Sequence, residues 1–233
     1  MIPTVNYTEI LAKLSGDNDY WTRDGRPLRL TMCGLLFARP QTEIASKEVF
    51  PELGYFNRRL GRRFHLFTAG CFLRWIPLGR YPDARRLEVK DWRYSDMAFD
   101  ELRREIESAT SWKYKDGVEL LLFNASKSRS SGLVSLDFHS ALAIDLQELR
   151  RYRASETVAS LIGRIANYCD HYDDDDPAWG FSDEIGTQVG VSALWNLVTC
   201  FLPEGLRNDA NAARLFVSQD LSKKGDGQSA RFS

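Results

Sequence analysis

Cysteine and histidine are scarce in this chain, and long apolar runs are missing altogether. Cys33, Cys71, Cys169 and Cys200 are the only four cysteines; none forms a CxxC pair, and each sits in or beside an apolar stretch. Free cysteine packs as a small hydrophobe, so the four read as reduced core thiols. Neither a disulfide framework nor a zinc site has the spacing it needs, even with the three histidines added. No stretch approaches the roughly 18 uninterrupted apolar residues of a membrane span. The opening MIPTVNYTEILAKLSGDNDYW has neither the basic start nor the continuous apolar core of a signal peptide. A cytoplasmic protein without membrane association is the expectation.

Motifs that carry chemistry are missing too. The sequence contains no G-x-G-x-x-G, G-x-S-x-G or H-E-x-x-H, and no kinase signature set. Ser126 to Gly132 (SKSRSSG) has phosphate-binding donors but does not match a P-loop, and reads as the tip of a hairpin. No cofactor is implied, no resident metal is expected, and no catalytic residue is assigned by a motif.

What is present is an ordinary folded composition, 43% hydrophobic and 27% charged over 233 residues. That is length enough for a core without staples. One α/β domain is expected over residues 1–215, with 216–233 as a flexible tail ending KKGDGQSARFS. Residues 5–14 suit a short amphipathic helix, and LRLTMCGLLFA (28–38) a buried central strand. Gly34 inside that strand implies a bulge or a close approach. A helix is expected over 46–60, disturbed by Pro51 and stopped by Gly61, then a strand over 63–75 and an irregular stretch over 76–94. Ser95 or Asp96 is placed to cap a helix reaching about Ser111. VELLLFNA (118–125) and LVSLDFH (133–139) suit a hairpin, and ALAIDLQEL (141–149) a strand ending in a turn. Helices are then expected over 155–170 and 182–202. The order implies a mixed sheet of about five strands flanked by helices, with a helix-rich C-terminal half.

Charge is unevenly spread. Arg39 to Arg93 carries ten Arg and two Lys against six acids, a balance of +6, while residues 94–233 carry fifteen bases and twenty-two acids, a balance of −7. The densest part holds Arg58, Arg59, Arg62 and Arg63; Arg74, Trp75, Arg85 and Arg86 follow. Guanidinium groups interleaved with aromatics suit phosphate contact and stacking. Arginines near a helix end are also favoured by the helix dipole, or pair with acids of the same chain. Asp170 to Pro177 (DHYDDDDP) reads as a solvated acidic loop, because neighbouring side chains diverge from any one ion.

Three functions follow from these features. The leading one is an accessory or regulatory binding domain whose Arg-rich surface engages an anionic partner: a nucleotide, a nucleic acid or an acidic protein face. A second is a small α/β hydrolase with a site assembled from His65, Cys71, Asp137 and His139, including a Cys71–His139 nucleophilic pair. The third is self-assembly, the basic patch of one copy meeting the acidic loop of another.

Overall fold

Apolar residues at period two and at period 3.6 alternate along the first half of the chain, and the elements follow that alternation. The computed structural model describes residues 2–16, 21–23, 26–27, 30–60, 64–74, 78–89, 91–128, 130–151, 157–171, 217–219 and 221–222. The first elements are β1 (Ile2–Thr4), α1 (Tyr7–Gly16), β2 (Thr22–Arg23), β3 (Arg26–Pro27) and β4 (Leu30–Phe37). A π-helical stretch (Ala45–Val49) precedes α2 (Leu53–Arg59), β5 (Phe64–Ala69) and β6 (Cys71–Leu73). After a 3-10 turn at Leu78–Arg80 come β7 (Arg85–Arg86), β8 (Trp92–Tyr94) and α3 (Asp96–Ala109). The remainder is β9 (Glu119–Lys127), β10 (Val134–Asp145), α4 (Leu146–Arg151), α5 (Val158–His171) and β11 (Val217–Gln219).

Six strands make one mixed sheet in the order β1-β5-β4-β9-β10-β11. β1, β5 and β4 are parallel; β9, β10 and β11 each run antiparallel to their neighbours. The apolar run of β4 fits its central place, buried on both faces. Gly34 marks a close approach and not a bulge. The register with β5 and β9 runs through it unbroken, and a Cβ there would lie 2.7 Å from Phe64 Cζ and 2.9 Å from Leu66 Cδ1.

Pleating sends Met32 and Phe37 to opposite faces. Phe37 packs on Phe99 of α3 (centroids 5.5 Å apart) and on Trp112 (4.7 Å). Met32 Sδ lies 3.1 Å from Cys169 Sγ of α5. Helices therefore cover both faces. α1 joins α3 on its face, the Tyr7 N–H donating to Glu105 Oε2 at 2.6 Å. α3 starts where its cap predicts: Ser95 Oγ accepts from the Ala98 N–H at 3.0 Å, and Ala98, Phe99, Leu102 and Ile106 form the buried stripe.

Five expectations change. The strand over 63–75 is broken at Gly70, whose φ of 73° turns the chain out of the main sheet. β6, inside the same expected strand, then starts a three-stranded sheet, β6-β8-β7, and β7 and β8 lie in the stretch over 76–94 expected to be irregular. The helix over 46–60 divides at Pro51 into the π-helical stretch and α2; Gly61 lies outside the described residues. Residues 141–149 split at Asp145, strand before and helix after, where Asp145 Oδ1 accepts from the Glu148 N–H. Residues 217–219 and 221, near the start of the expected tail, are built into the fold. β11 pairs with β10, and the 2%-exposed Leu221 exchanges backbone bonds with Phe138 and Ser111. The helix expected over 182–202, and the acidic segment from Tyr172 onward, lie outside the described residues. Among the described residues no helix is long and apolar enough to cross a membrane.

Candidate anion-binding site

The arginines of the basic segment divide into two sets, and α3 draws the line. Arg39, at the end of β4, donates to Asp96 Oδ1 at 2.7 Å and Asp100 Oδ1 at 2.8 Å, and its guanidinium lies 4.3 Å from the centre of the Phe99 ring. Arg80 pairs with Glu101. Beside it, burial and then Glu101 push the Tyr81 hydroxyl up to about 12, so it stays protonated and donates to Glu101 Oε2 at 3.1 Å. Arg85 reaches Asp96 Oδ2 at 3.2 Å and lies 5.1 Å over the Tyr94 ring. This first set is neutralised by one helix's acids, the intrachain pairing that sequence alone left open.

Arg86 follows Arg85 directly and meets a different fate. Adjacent strand residues point to opposite faces, so Arg86 turns away from Asp96. Its register partner in the antiparallel β7–β8 pair is Arg93. Like charges directly opposite across a ladder destabilise it by roughly 0.2–1 kcal/mol. Arg93 in turn pairs with Phe72 of β6, and two residues on, at the same parity, stands Arg74. The Arg74 N–H continues the ladder to the Asp91 carbonyl at 2.9 Å.

Arg74, Arg86 and Arg93 line one concavity of about 250 Å³, with Asp91 at its edge and Leu87, Val89 and Trp92 forming its apolar side. The three arginines make no ion pair among the described residues. Arg93 Nε is buried and has no hydrogen-bond partner. Asp91, just before β8, has a φ of 66°, a conformation Asp tolerates better than most residues. The end of β6 and the β7–β8 pair thus bring three arginines and one aspartate to the lining of one concavity.

Of the eight surface residues expected from sequence, Arg74 and Arg86 lie in this concavity and Arg85 lies on the other face. Arg58 and Arg59 end α2, but their side chains are outside the described residues, as are Arg62, Arg63 and Trp75 entirely. Arg93 and Asp91 were missed. Two arginines placed to face each other across a short hairpin are the signal, and reading it requires recognising β7 and β8 as strands.

The hydrolase residues are not brought together. His65 on β5 and Asp137 on β10 are separated by β4 and β9, about 14 Å at ordinary strand spacing, and lie on opposite faces by register. Cys71 belongs to the smaller sheet, is fully buried opposite Tyr94, and burial pushes its thiol far above the ordinary range. A thiol in that state is not a nucleophile. His139 is in β10, with its side chain outside the described residues.

Two buried carboxylates do face each other, Glu119 and Asp145. Burial raises the Glu119 carboxyl above its usual range. Its oxygens accept from Trp112 Nε1 at 2.9 Å and the Lys115 N–H at 2.7 Å, which gives it a structural task. Among the described residues no group of His, Cys, Asp or Glu is arranged to hold a metal ion.

The chain matches no protein-family model, and neither a curated protein sequence nor a solved structure is detectably similar to it.

Proposed function

We propose that this chain is a binding domain for a phosphate-bearing ligand, held by Arg74, Arg86 and Arg93 on the face of the β6-β8-β7 sheet. One observation carries the reading: Arg86 stands directly opposite Arg93, in a concavity, with no carboxylate paired to either. Structural arginines in this molecule find an acid, as Arg39, Arg80 and Arg85 do. A bound anion would relieve the repulsion of the Arg86–Arg93 pair and supply the partner that Arg93 Nε lacks.

The test is affinity of the full chain for adenosine triphosphate at low and at physiological salt. Binding should weaken with salt, because exposed charge attraction is screened within about 10 Å at 0.1 M. Arg86→Ala and Arg93→Ala should each weaken it by tenfold or more, a loss of about 1.4 kcal/mol. Arg80→Ala, which removes an equal charge paired to Glu101, should leave it within about twofold, a small change on the same scale. No binding, or binding indifferent to Arg86 and Arg93, rejects the reading.

A further inference from the structure

Resting on that reading, we infer that the concavity takes a phosphomonoester, specifically the terminal 5′-phosphate of a nucleotide, in preference to the phosphodiester linkages of a nucleic-acid backbone. Among the described lining residues, three guanidinium groups and the Asp91 carboxylate leave a balance of +2. A phosphodiester linkage brings a single negative charge. A phosphomonoester brings about −1.5 to −2 at pH 7, because its second pKa is about 6, together with three strong acceptor oxygens. Three arginines arranged about one concavity offer one donor group to each such oxygen, whereas a diester linkage has only two free oxygens. The charge and the number of donors select the same chemistry.

The remainder of the lining says what the phosphate is attached to. Leu87, Val89 and Trp92 are partly exposed and give the concavity an apolar side next to its charged one. Leu87 and Val89 are held there by backbone bonds across the turn, the Leu87 N–H donating to the Trp92 carbonyl and the Trp92 N–H to the Val89 carbonyl. A flat base lying on this wall buries apolar surface while its phosphate meets the arginines, and such contact tolerates any base. The site therefore reads the phosphate and leaves the base unread.

The shared ligand chemistry, a 5′-phosphate beside a base, occurs on a free nucleotide and at the end of a strand. Binding should follow the ligand's own titration. The described charged groups that face the phosphate are Arg74 from the end of β6, Arg86 from β7, Arg93 from β8 and Asp91 from the turn. Glu88 is exposed in the same turn without lining the concavity, and Arg85 lies on the opposite face with Asp96. Arginine keeps its charge throughout, so Asp91 is the one lining group to control for, and Asp91→Asn keeps a residue that tolerates positive φ.

The experiment is calorimetric titration of the full chain with four probes. These are adenosine 5′-monophosphate, adenylyl-adenosine without a terminal phosphate, and one short DNA strand with and without its 5′-phosphate. Titrations are run near pH 7.5 and near pH 5, and repeated on Asp91→Asn. The expected result is binding of the 5′-phosphorylated probes at least tenfold tighter than their unphosphorylated counterparts. On going to about pH 5 that binding should fall by about tenfold as the dianion is protonated, in the wild type and in Asp91→Asn alike. Preference for the phosphorylated strand over the mononucleotide identifies a strand end as the source; the reverse identifies the free nucleotide, and both support the inference. Equal affinity for monoester and diester, or a pH dependence that vanishes in Asp91→Asn, overturns it while leaving the anion reading intact. No binding of any probe overturns both.

Discussion

Arg85 and Arg86 are neighbours in sequence and opposites in environment. Arg85 belongs to the region organised by α3, where Asp96, Asp100 and Glu101 each hold a guanidinium, and Phe99 and Tyr94 lie beneath two of them. Arg86 belongs to the small sheet, where it meets another arginine across the ladder and no carboxylate. Both regions are basic in composition. The difference teaches that net charge along a sequence does not report free charge in a structure. Among the described residues, the helix acids pair with Arg39, Arg80 and Arg85 and leave Arg74, Arg86 and Arg93 without an ion pair.

Gly70 is where the two regions join, so the largest effect is expected there. Its φ of 73° is left-handed, and a Cβ would lie 2.8 Å from Phe99 Cβ and 2.9 Å from the Ser95 carbonyl. Gly70→Ala combines backbone strain with a clash against the start of α3, and is expected to cost about 2–4 kcal/mol. It should lower the denaturant midpoint and weaken ligand binding together, because β6 leaves the main sheet at this residue. A loss of binding at unchanged stability would show that the small sheet moves independently of α3.

Next comes Arg39→Ala, which sharpens the comparison by removing the most buried of the paired arginines, 23% exposed at its side chain. Asp96 and Asp100 each lose one of two guanidinium partners, keeping Arg85 and Arg103 respectively, and the Phe99 ring loses its cover, for an expected cost of about 1–3 kcal/mol. Chemical denaturation should register this, while phosphate affinity stays as it was. Arg86→Ala is expected to do the reverse. It relieves a like-charge pair, so stability should hold or rise by up to about 1 kcal/mol, while binding is lost. Added salt should stabilise the wild type more than Arg86→Ala, because screening does part of what the substitution does. Destabilisation by Arg86→Ala beyond that of Arg39→Ala would abolish the distinction between the two regions.

Much of the fold is legible in the sequence because its signals are local. The unbroken apolar run of β4, the Ser95 cap, the hairpin of β9 and β10 and the 3.6-residue stripe of α5 each lie within one segment. The breaks that matter most are tertiary. Residues 63–75 read as one Phe- and Leu-rich strand, and the left-handed Gly70, packed closely against Phe99 and Ser95, divides it. β7 and β8 are two and three residues long, too short to show a period. The direction in which Arg85 and Arg86 point depends on recognising them as strands. The candidate site was therefore legible as a basic region with aromatics, and Arg74 and Arg86 were within reach. Arg93 and Asp91 were not, because a register partner is not a property of either residue alone. His65, Cys71 and Asp137 failed as a site for the same reason in reverse. Their chemistry suited one another, but the strand order separates His65 from Asp137 and Cys71 lies in the other sheet.

Asp83 offers the smallest and most specific test of the paired region, because it acts through α3 without an arginine. Burial pushes its carboxyl up, but the bond from Ser95 Oγ and those from the Met97 and Asp96 backbone N–H groups outweigh this, leaving it below its ordinary value of 3.8. The donated bonds are 2.6 Å from Ser95 Oγ and 3.0 Å from the Met97 N–H. A carboxylate at a helix N-terminus also meets the positive end of the helix dipole. A depressed carboxylate contributes stability that is fully present above its unfolded pKa and is lost as pH falls through the folded one. The wild type should thus lose stability between about pH 4 and pH 2 more steeply than Asp83→Asn, the two curves converging at the acid end. Above about pH 5 the variant should be slightly less stable, by an amount that no longer depends on pH. Denaturant midpoints taken at four pH values would read both features. Parallel curves across the acid range would mean that Asp83 does not hold the start of α3 as a carboxylate.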